Sequence, residues 1–319
     1  MMHKLISAAL VAALSNGGFA VAQEKYPAKP IRMIVGYAPG GGSDIMGRLI
    51  APEITAALGQ QVIVENRAGQ AQNIAAEFII RQPADGYTLF LSSAALGVNA
   101  SLYPKLNYDP VKDFMPIAVF ATSANLLVTH PSLPAKTVKE FIAVIKKNPG
   151  KMNFSSSGSG STQHLSGEML KLMIKGDFTH IPYKGTGPSL TALISGEVEF
   201  SFSNIPAAQP MLNRMRVLGI TSEKRSPLMP EVPTMAEGGL PGFITQTWYG
   251  VLSPRGTPAP IITTLNSVIV KAVQREDFRN KLAQMGADPI AESPEYFRKM
   301  LGEEIERWGK VVKASGIKP

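Results

Sequence analysis

Ile31-Arg32-Met33-Ile34-Val35-Gly36-Tyr37-Ala38-Pro39-Gly40-Gly41-Gly42-Ser43-Asp44-Ile45-Met46 decides the reading of this chain. The run Ile31–Tyr37 is apolar and rich in branched residues, which predicts a strand, and Ser43–Leu58 carries apolar residues at helical spacing. A strand passing through one glycine turn into a helix is the opening of a βαβ unit. The three glycines also leave backbone N–H groups uncovered at the positive end of a helix dipole, an arrangement that binds anions such as a carboxylate or phosphate. Tyr37, Gly40, Gly41, Gly42, Ser43 and Asp44 are therefore candidate ligand residues. The structural alternative is a tight turn in which Ser43 or Asp44 caps the helix.

Working outward, Gln61–Glu65 reads as a strand, Ala71–Arg81 as a helix, and Tyr87–Ser92 as a strand after the turn at Asp85-Gly86. This alternation predicts an α/β fold with a mostly parallel sheet flanked by helices. A second run of the same kind follows: strand Leu126–Thr129, helix Thr137–Lys147 opened by the capping box Thr137 and Glu140, strand Asn153–Ser156, and helix Thr162–Ile174. Phe178–Pro182, Val198–Ser203 and Val217–Thr221 are further strands, with a short helix at Pro188–Ile194. The last third holds a strand at Gln246–Leu252 and three helical stretches, the final one Pro294–Val312 with Ser293 as N-cap and Pro294 in its first turn.

Boundaries near 120 and 225, with the Pro/Gly-rich return Ser226–Gly242, divide the chain into domain 1 (23–120 with 226–319) and domain 2 (121–225). Domain 2 repeats the opening device at Ser155-Ser156-Ser157-Gly158-Ser159-Gly160-Ser161-Thr162-Gln163-His164, again between a strand and a helix. It offers hydroxyls and N–H groups without charge, or else a flexible turn with Ser161 as helix cap. Two such loops, one per half, would face each other across a cleft, where ligands of α/β folds bind.

Composition narrows the function. The chain has 319 residues, 45% hydrophobic and 18% charged, which excludes disordered and collagen-like classes. It contains no cysteine, so disulfides, thiolate metal sites, iron–sulfur clusters and cysteine nucleophiles are excluded. Residues 1–22 form a positive head ending in Lys4, an apolar run Leu5–Leu14 and the small-x-small pattern Ala20-Val21-Ala22, the layout of a secretory signal peptide cleaved after Ala22. An apolar helix of about 10 residues covers only about half of a bilayer core. Removing Lys4 lowers the formal charge from +8 to +7. Export makes nucleic acid an improbable partner for that charge.

Enzyme motifs are incomplete. Neither loop contains a phosphate-binding G-x-x-x-x-G-K-[ST], and Gly158-x-Gly160 is followed by Gln163 where a dinucleotide fingerprint needs glycine. No G-x-S-x-G elbow occurs. His164 and Glu168 share a helical face at metal-ligand spacing, although a structural hydrogen bond is the commoner use of such a histidine. Lys184 is a possible charge partner or a solvated lysine. Trp248-Tyr249-Gly250 is a ligand wall, core packing or a hinge.

In order along the chain stand Tyr26-Pro27…Pro30-Ile31-Arg32, Pro39-Gly40-Gly41…Asp44, Val64-Glu65-Asn66-Arg67, Asp85-Gly86-Tyr87-Thr88-Leu89, Tyr108-Asp109-Pro110 and Pro149-Gly150-Lys151. Gly158-Ser159-Gly160…His164-Leu165, His180-Ile181-Pro182-Tyr183-Lys184-Gly185 and Pro233-Thr234…Glu237-Gly238-Gly239-Leu240-Pro241-Gly242 follow. With these marks the chain resembles the tripartite tricarboxylate transporter receptor family, or Bug family, of periplasmic solute-binding proteins. The resemblance implies a two-domain, Venus-flytrap receptor of the periplasmic binding protein type II kind, monomeric and without cofactor, that passes a small organic anion to membrane permease subunits. It implies that loops matching Tyr37–Asp44 and Ser156–His164, including Ser157, Gly158, Gly160, Ser161, Thr162 and His164, grip one ligand carboxylate. By position it adds Ser92, Ser93, Ala94, Thr186, Gly187 and Asn204. After Asn66-Arg67 the family usually continues with a Gly-Ala-Gly-Gly-like stretch. Here Ala68-Gly69-Gln70-Ala71-Gln72-Asn73 stands instead, so Gln72 or Asn73 either adds polar contacts or caps the following helix. Two alternatives remain: a receptor serving a sensor, and a carboxylate-ester hydrolase using Ser159 or Ser161 with His164.

Overall fold

The computed structural model describes residues 26–319, so the expected export signal, residues 1–22 with its cleavage after Ala22, lies outside the described residues. Strand β1 (Ile31–Val35) is buried on both faces, as a central strand of a parallel sheet must be. It is flanked in parallel by β2 (Val62–Asn66) and β3 (Thr88–Ser93). Helices α1 (Gly42–Leu58), α2 (Asn73–Ile79) and α3 (Ala95–Leu102) connect or follow these strands.

Strand β4 (Phe114–Thr129) then runs 16 residues through both halves. The sequence reading placed only Leu126–Thr129 in a strand; the apolar run from Phe114 continues the same strand without a break. The second half follows as α4 (Val138–Lys147), β5 (Asn153–Ser156), α5 (Thr162–Ile174), β6 (Thr179–Pro182), α6 (Thr186–Ile194), β7 (Phe200–Asn204), α7 (Ile205–Ala208) and β8 (Arg216–Ile220). The chain returns through β9 (Gln246–Pro254), α8 (Ala259–Gln274), α9 (Glu276–Gln284), β10 (Asp288–Pro289) and α10 (Pro294–Ser315), and α10 packs on α3 and β4.

The strand order is β2-β1-β3-β9-β4-β7-β5-β6. Parallel pairing is confined to the two outer groups, β2-β1-β3 and β6-β5-β7, one per lobe. The α/β class is the expected one, but the sheet as a whole is mixed, because β4 and β9 run antiparallel to their neighbours. β4 pairs with β9 over Phe114–Ala124 and with β7 over Asn125–Thr129, so this one strand ties the lobes together.

Each lobe has its own core. Val35, Ile50, Leu89, Phe120, Leu265 and Phe278 are buried together in the first. The second is built on rings: Phe154 stacks on Phe200 at 5.5 Å and meets Phe178 edge-on at 5.5 Å. A fully buried phenylalanine contributes about 1.5–3 kcal/mol. The helix caps form largely as read: Thr137 Oγ1 accepts from Glu140 N–H and Ser293 Oγ from Tyr296 N–H. The Glu140 carboxylate, however, accepts from Lys136 N–H, one residue outside the capping box.

Candidate functional site

The N-termini of α1, α5, α6 and α7 converge between the lobes because each follows the carboxyl end of a strand or its turn. Their caps differ. Ser161 Oγ accepts from His164 N–H at the start of α5, and Asn204 Oδ1 from Ala207 N–H at the start of α7. Helices α1 and α6 begin at Gly41 and Gly185, which supply no side-chain cap. Two uncapped helix ends, one from each lobe, thus lie side by side: a Cβ built on Gly41 would stand 3.5 Å from Thr186 N.

Between them is a tight cavity whose water-accessible volume is about 20 Å³. Tyr37, Gly41, Gly42, Ser43, Ser93, Ser157, Thr162, Thr186 and Asn204, all singled out in the sequence, are on its wall. Gln163, Thr247 and Tyr249 complete the lining and were missed as site residues. The sequence offers Tyr249 as ligand wall, core packing or hinge; the polar spacing Thr247-x-Tyr249, which puts both side chains on one strand face, is the signal for the wall. No lining residue carries a charge. Ser157 Oγ donates to Gln163 Oε1 at 2.8 Å, and the Gln163 and Asn204 amides both donate to Thr186 Oγ1 at 3.4 Å. Burial raises the phenols of Tyr37 and Tyr249 well above the usual range, so both are neutral donors at pH 7.

The remaining sequence candidates stand behind this wall. Asp44 faces its own loop: Oδ2 accepts from Gly40 N–H at 3.0 Å, and Oδ1 from Arg48 and Asn66 at 3.0 Å each. Burial pushes its carboxyl upward, but the bonds from Arg48, Gly40 and Asn66 outweigh this and leave it below the usual range. Ser92 Oγ donates to Gln72 Oε1, and Ala94 is fully buried. Gly158, Gly160 and Gly187 lie on the seam where the lobes touch. A Cβ on Gly158 would be 3.3 Å from Ala71 N, on Gly160 2.4 Å from Asn99 Oδ1, and on Gly187 3.0 Å from Pro39 O. Lys184 extends into solvent, and its carbonyl accepts from Ala38 N–H across the same seam at 3.0 Å.

His164 and His180 stack at 3.9 Å beneath the second loop. His164 Nδ1 accepts from Gly160 N–H at 3.1 Å, and His180 Nε2 is 2.6 Å from Ser156 Oγ. Burial, with Lys171 nearby, lowers His164 to about 4; burial, then His164 and Lys171, lowers His180 to about 2. Both rings are neutral props of the loop backbone. Ser161 Oγ accepts from the His164 backbone N–H, so this hydroxyl is engaged as the helix cap and not with the imidazole. Among the described residues no group of three or more His, Asp or Glu is placed to hold a metal. Gln72 and Asn73 turn inward, Gln72 to the end of β3 and Asn73 to Asn99 and Tyr108.

Two α/β lobes joined by shared strands, with an uncharged, donor-rich cavity at their junction, define a two-lobed solute-binding protein. The family model described as tripartite tricarboxylate transporter family receptor matches residues 46–317, and the chain belongs to that family. Protein BugT of Bordetella pertussis is 38% identical over 302 residues, covering 93% of this chain and 93% of that protein. Among solved structures, R. palustris Rpa4515 with adipate matches at a TM-score of 0.90 and 37% identity, covering 92% of this chain and 99% of that one. MatC (Rpa3494) from Rhodopseudomonas palustris with bound malate matches at 0.86 and 34%, covering 90% and 100%.

Proposed function

We propose that this protein is a periplasmic receptor that captures a small organic carboxylate between its lobes (23–120 with 226–319, and 121–225) and delivers it to the permease subunits of a tripartite tricarboxylate-type transporter. The observation that carries the reading is the meeting of two uncapped helix N-termini, α1 and α6, at one cavity without an ionised side chain. Each such terminus offers unclaimed N–H groups and the positive end of a dipole. A carboxylate that accepts from both satisfies donors in both lobes at once, and hydrogen bonds to a charged group are worth about 1.5–3 kcal/mol each. The solved relatives holding adipate and malate support the same ligand class. In this reading residues 1–22 direct export and are cleaved after Ala22, and the receptor works as a monomer without cofactor or nucleic acid. Among the described residues no helix is long and apolar enough to cross a membrane.

A thermal-shift panel of mono-, di- and tricarboxylates tests the proposal. A true ligand at 100 times its Kd stabilises the protein by about 2.7 kcal/mol. If no carboxylate raises the transition while a generic ester is turned over, the receptor reading is wrong.

A further inference from the structure

Tyr249 is on β9, with its ring in the first lobe's core and only 1% of its surface exposed. Its hydroxyl is buried and has no hydrogen-bond partner. Six other side chains share that property: Asn73, Asn99, Asn125, Thr129, Trp248 and Ser253. Of the seven, Tyr249 alone among the described residues lines the cavity between the lobes. A phenylalanine would fill the same ring volume without burying an unpaired polar group, so nothing in the packing calls for the oxygen.

The position of that oxygen points to its partner. A Cβ built on Gly42 would be 2.4 Å from the Tyr249 hydroxyl and 2.4 Å from Asn204 Oδ1. The phenol therefore stands beside the first turn of α1, where the helix N–H groups have no cap. It adds a side-chain donor next to the backbone N–H groups of α1. Glycine at 42 is required because any side chain there would fill the gap between Tyr249 and Asn204.

We propose that Tyr249 is a ligand-contacting, specificity-determining residue whose phenol donates a hydrogen bond to an oxygen of the bound acid, next to the N–H groups of α1. The assignment rests on the carboxylate-receptor reading. It predicts that the wall formed by β9 selects for a ligand oxygen at this point of the cavity.

The test compares the protein with its Tyr249→Phe variant, using malate, adipate and citrate as probes in calorimetric titration and recording the unfolding temperature without ligand. The expected result is an affinity for the tightest probe about 10-fold or more weaker in the variant, with an unfolding temperature that is equal or higher. Equal affinity in the two proteins refutes the contact and leaves the receptor reading standing. A lower unfolding temperature without ligand also refutes it, because it shows that the hydroxyl serves the fold. Failure of the unaltered protein to bind any of the probes overturns the carboxylate reading, and this proposal with it.

Discussion

Replacing Gln72 tests how the loop that departs from the family pattern supports the site. Gln70, Ala71 and Gln72 are consecutive non-glycine residues at positive φ, with Gln72 at +72°. Left-handed backbone costs a residue with a side chain roughly 1–2 kcal/mol. The side chain offsets that cost. Its Oε1 accepts from Ser92 Oγ at 3.1 Å and Ser93 N–H at 3.3 Å, and its Nε2 donates to Ser93 O at 3.0 Å, all buried. Gln72→Ala removes three bonds and leaves buried Ser93 backbone groups short of partners, for a loss of about 2–4 kcal/mol. Gln72→Gly loses the same bonds but relieves the backbone, so it should be the more stable of the two by about 1 kcal/mol. This inverts the usual ranking of glycine below alanine. Urea unfolding of the three proteins at pH 7 without ligand measures the order. If the glycine variant is the less stable, or if neither variant is weakened, the account of Gln72 is wrong. Because Ser93 is on the cavity wall, both variants should also bind the carboxylate less tightly.

Other perturbations separate grip, closure and loop folding. Gly41→Pro deletes an N–H at the start of α1 while keeping a compatible φ of −84°, so affinity should fall about 10-fold or more with the domain still folded; unchanged affinity in titration removes this loop from the site. Gly160→Ala sets a methyl 2.4 Å from Asn99 Oδ1 across the seam, and overpacking of about 1–3 kcal/mol should appear as a weaker Kd through a penalised closed state; an unaltered Kd would show that the lobes need not approach so closely. The depressed carboxyl of Asp44 stabilises the fold above its usual 3.8 and that contribution is lost as pH falls through its lower, folded-state value. Thermal unfolding of the Asp44→Asn variant against pH should therefore show a deficit at neutral pH that shrinks below about pH 4; a deficit constant down to pH 2 would exclude the ionic role.

The strand-turn-helix units were legible because their signals are local. Ile31–Val35 with its glycine turn, and Asn153–Ser156 with its serine–glycine turn, announce themselves within a dozen residues, and both turns supply walls of the cavity. The length of β4 was not legible, since Phe114–Ala124 has no periodicity that distinguishes a two-lobe strand from a buried helix segment. Nor could sequence separate wall from seam. Gly42 and Gly160 are both turn glycines beside a helix start, yet one faces Asn204 and Tyr249 in the cavity and the other faces Asn99 across the lobe contact. Asp44 reads as a ligand residue by position and proves to be the brace of its own loop, because Arg48, one helical turn on, and Asn66, on β2, both reach it. Tyr249 was legible only as wall, core or hinge, because an aromatic on a strand suits all three; its cavity position and the missing partner of its hydroxyl decide between them.

These parts also explain how binding and closure are coupled. When the lobes are apart, water can satisfy the first N–H groups of α1 and α6 and the Tyr249 hydroxyl. With Gly185 and Gly187 against Ala38 and Pro39, the Tyr249 hydroxyl is buried without an acceptor and the starts of α1 and α6 carry no side-chain cap. The closed state is penalised for as long as they stay unpaired. A carboxylate has two charged oxygens with lone pairs for both helix ends, and its hydrogen bonds are stronger than those to a neutral acceptor. The anion therefore prefers the closed state by its differential contacts, which is the requirement for a ligand to drive a conformational change. The basic excess of the chain, +8 in total, has no member in the cavity. With neutral donors in the cavity and both nearby histidines titrating at about 4 or below, these protein groups contribute no protonation step to binding between pH 5 and 8.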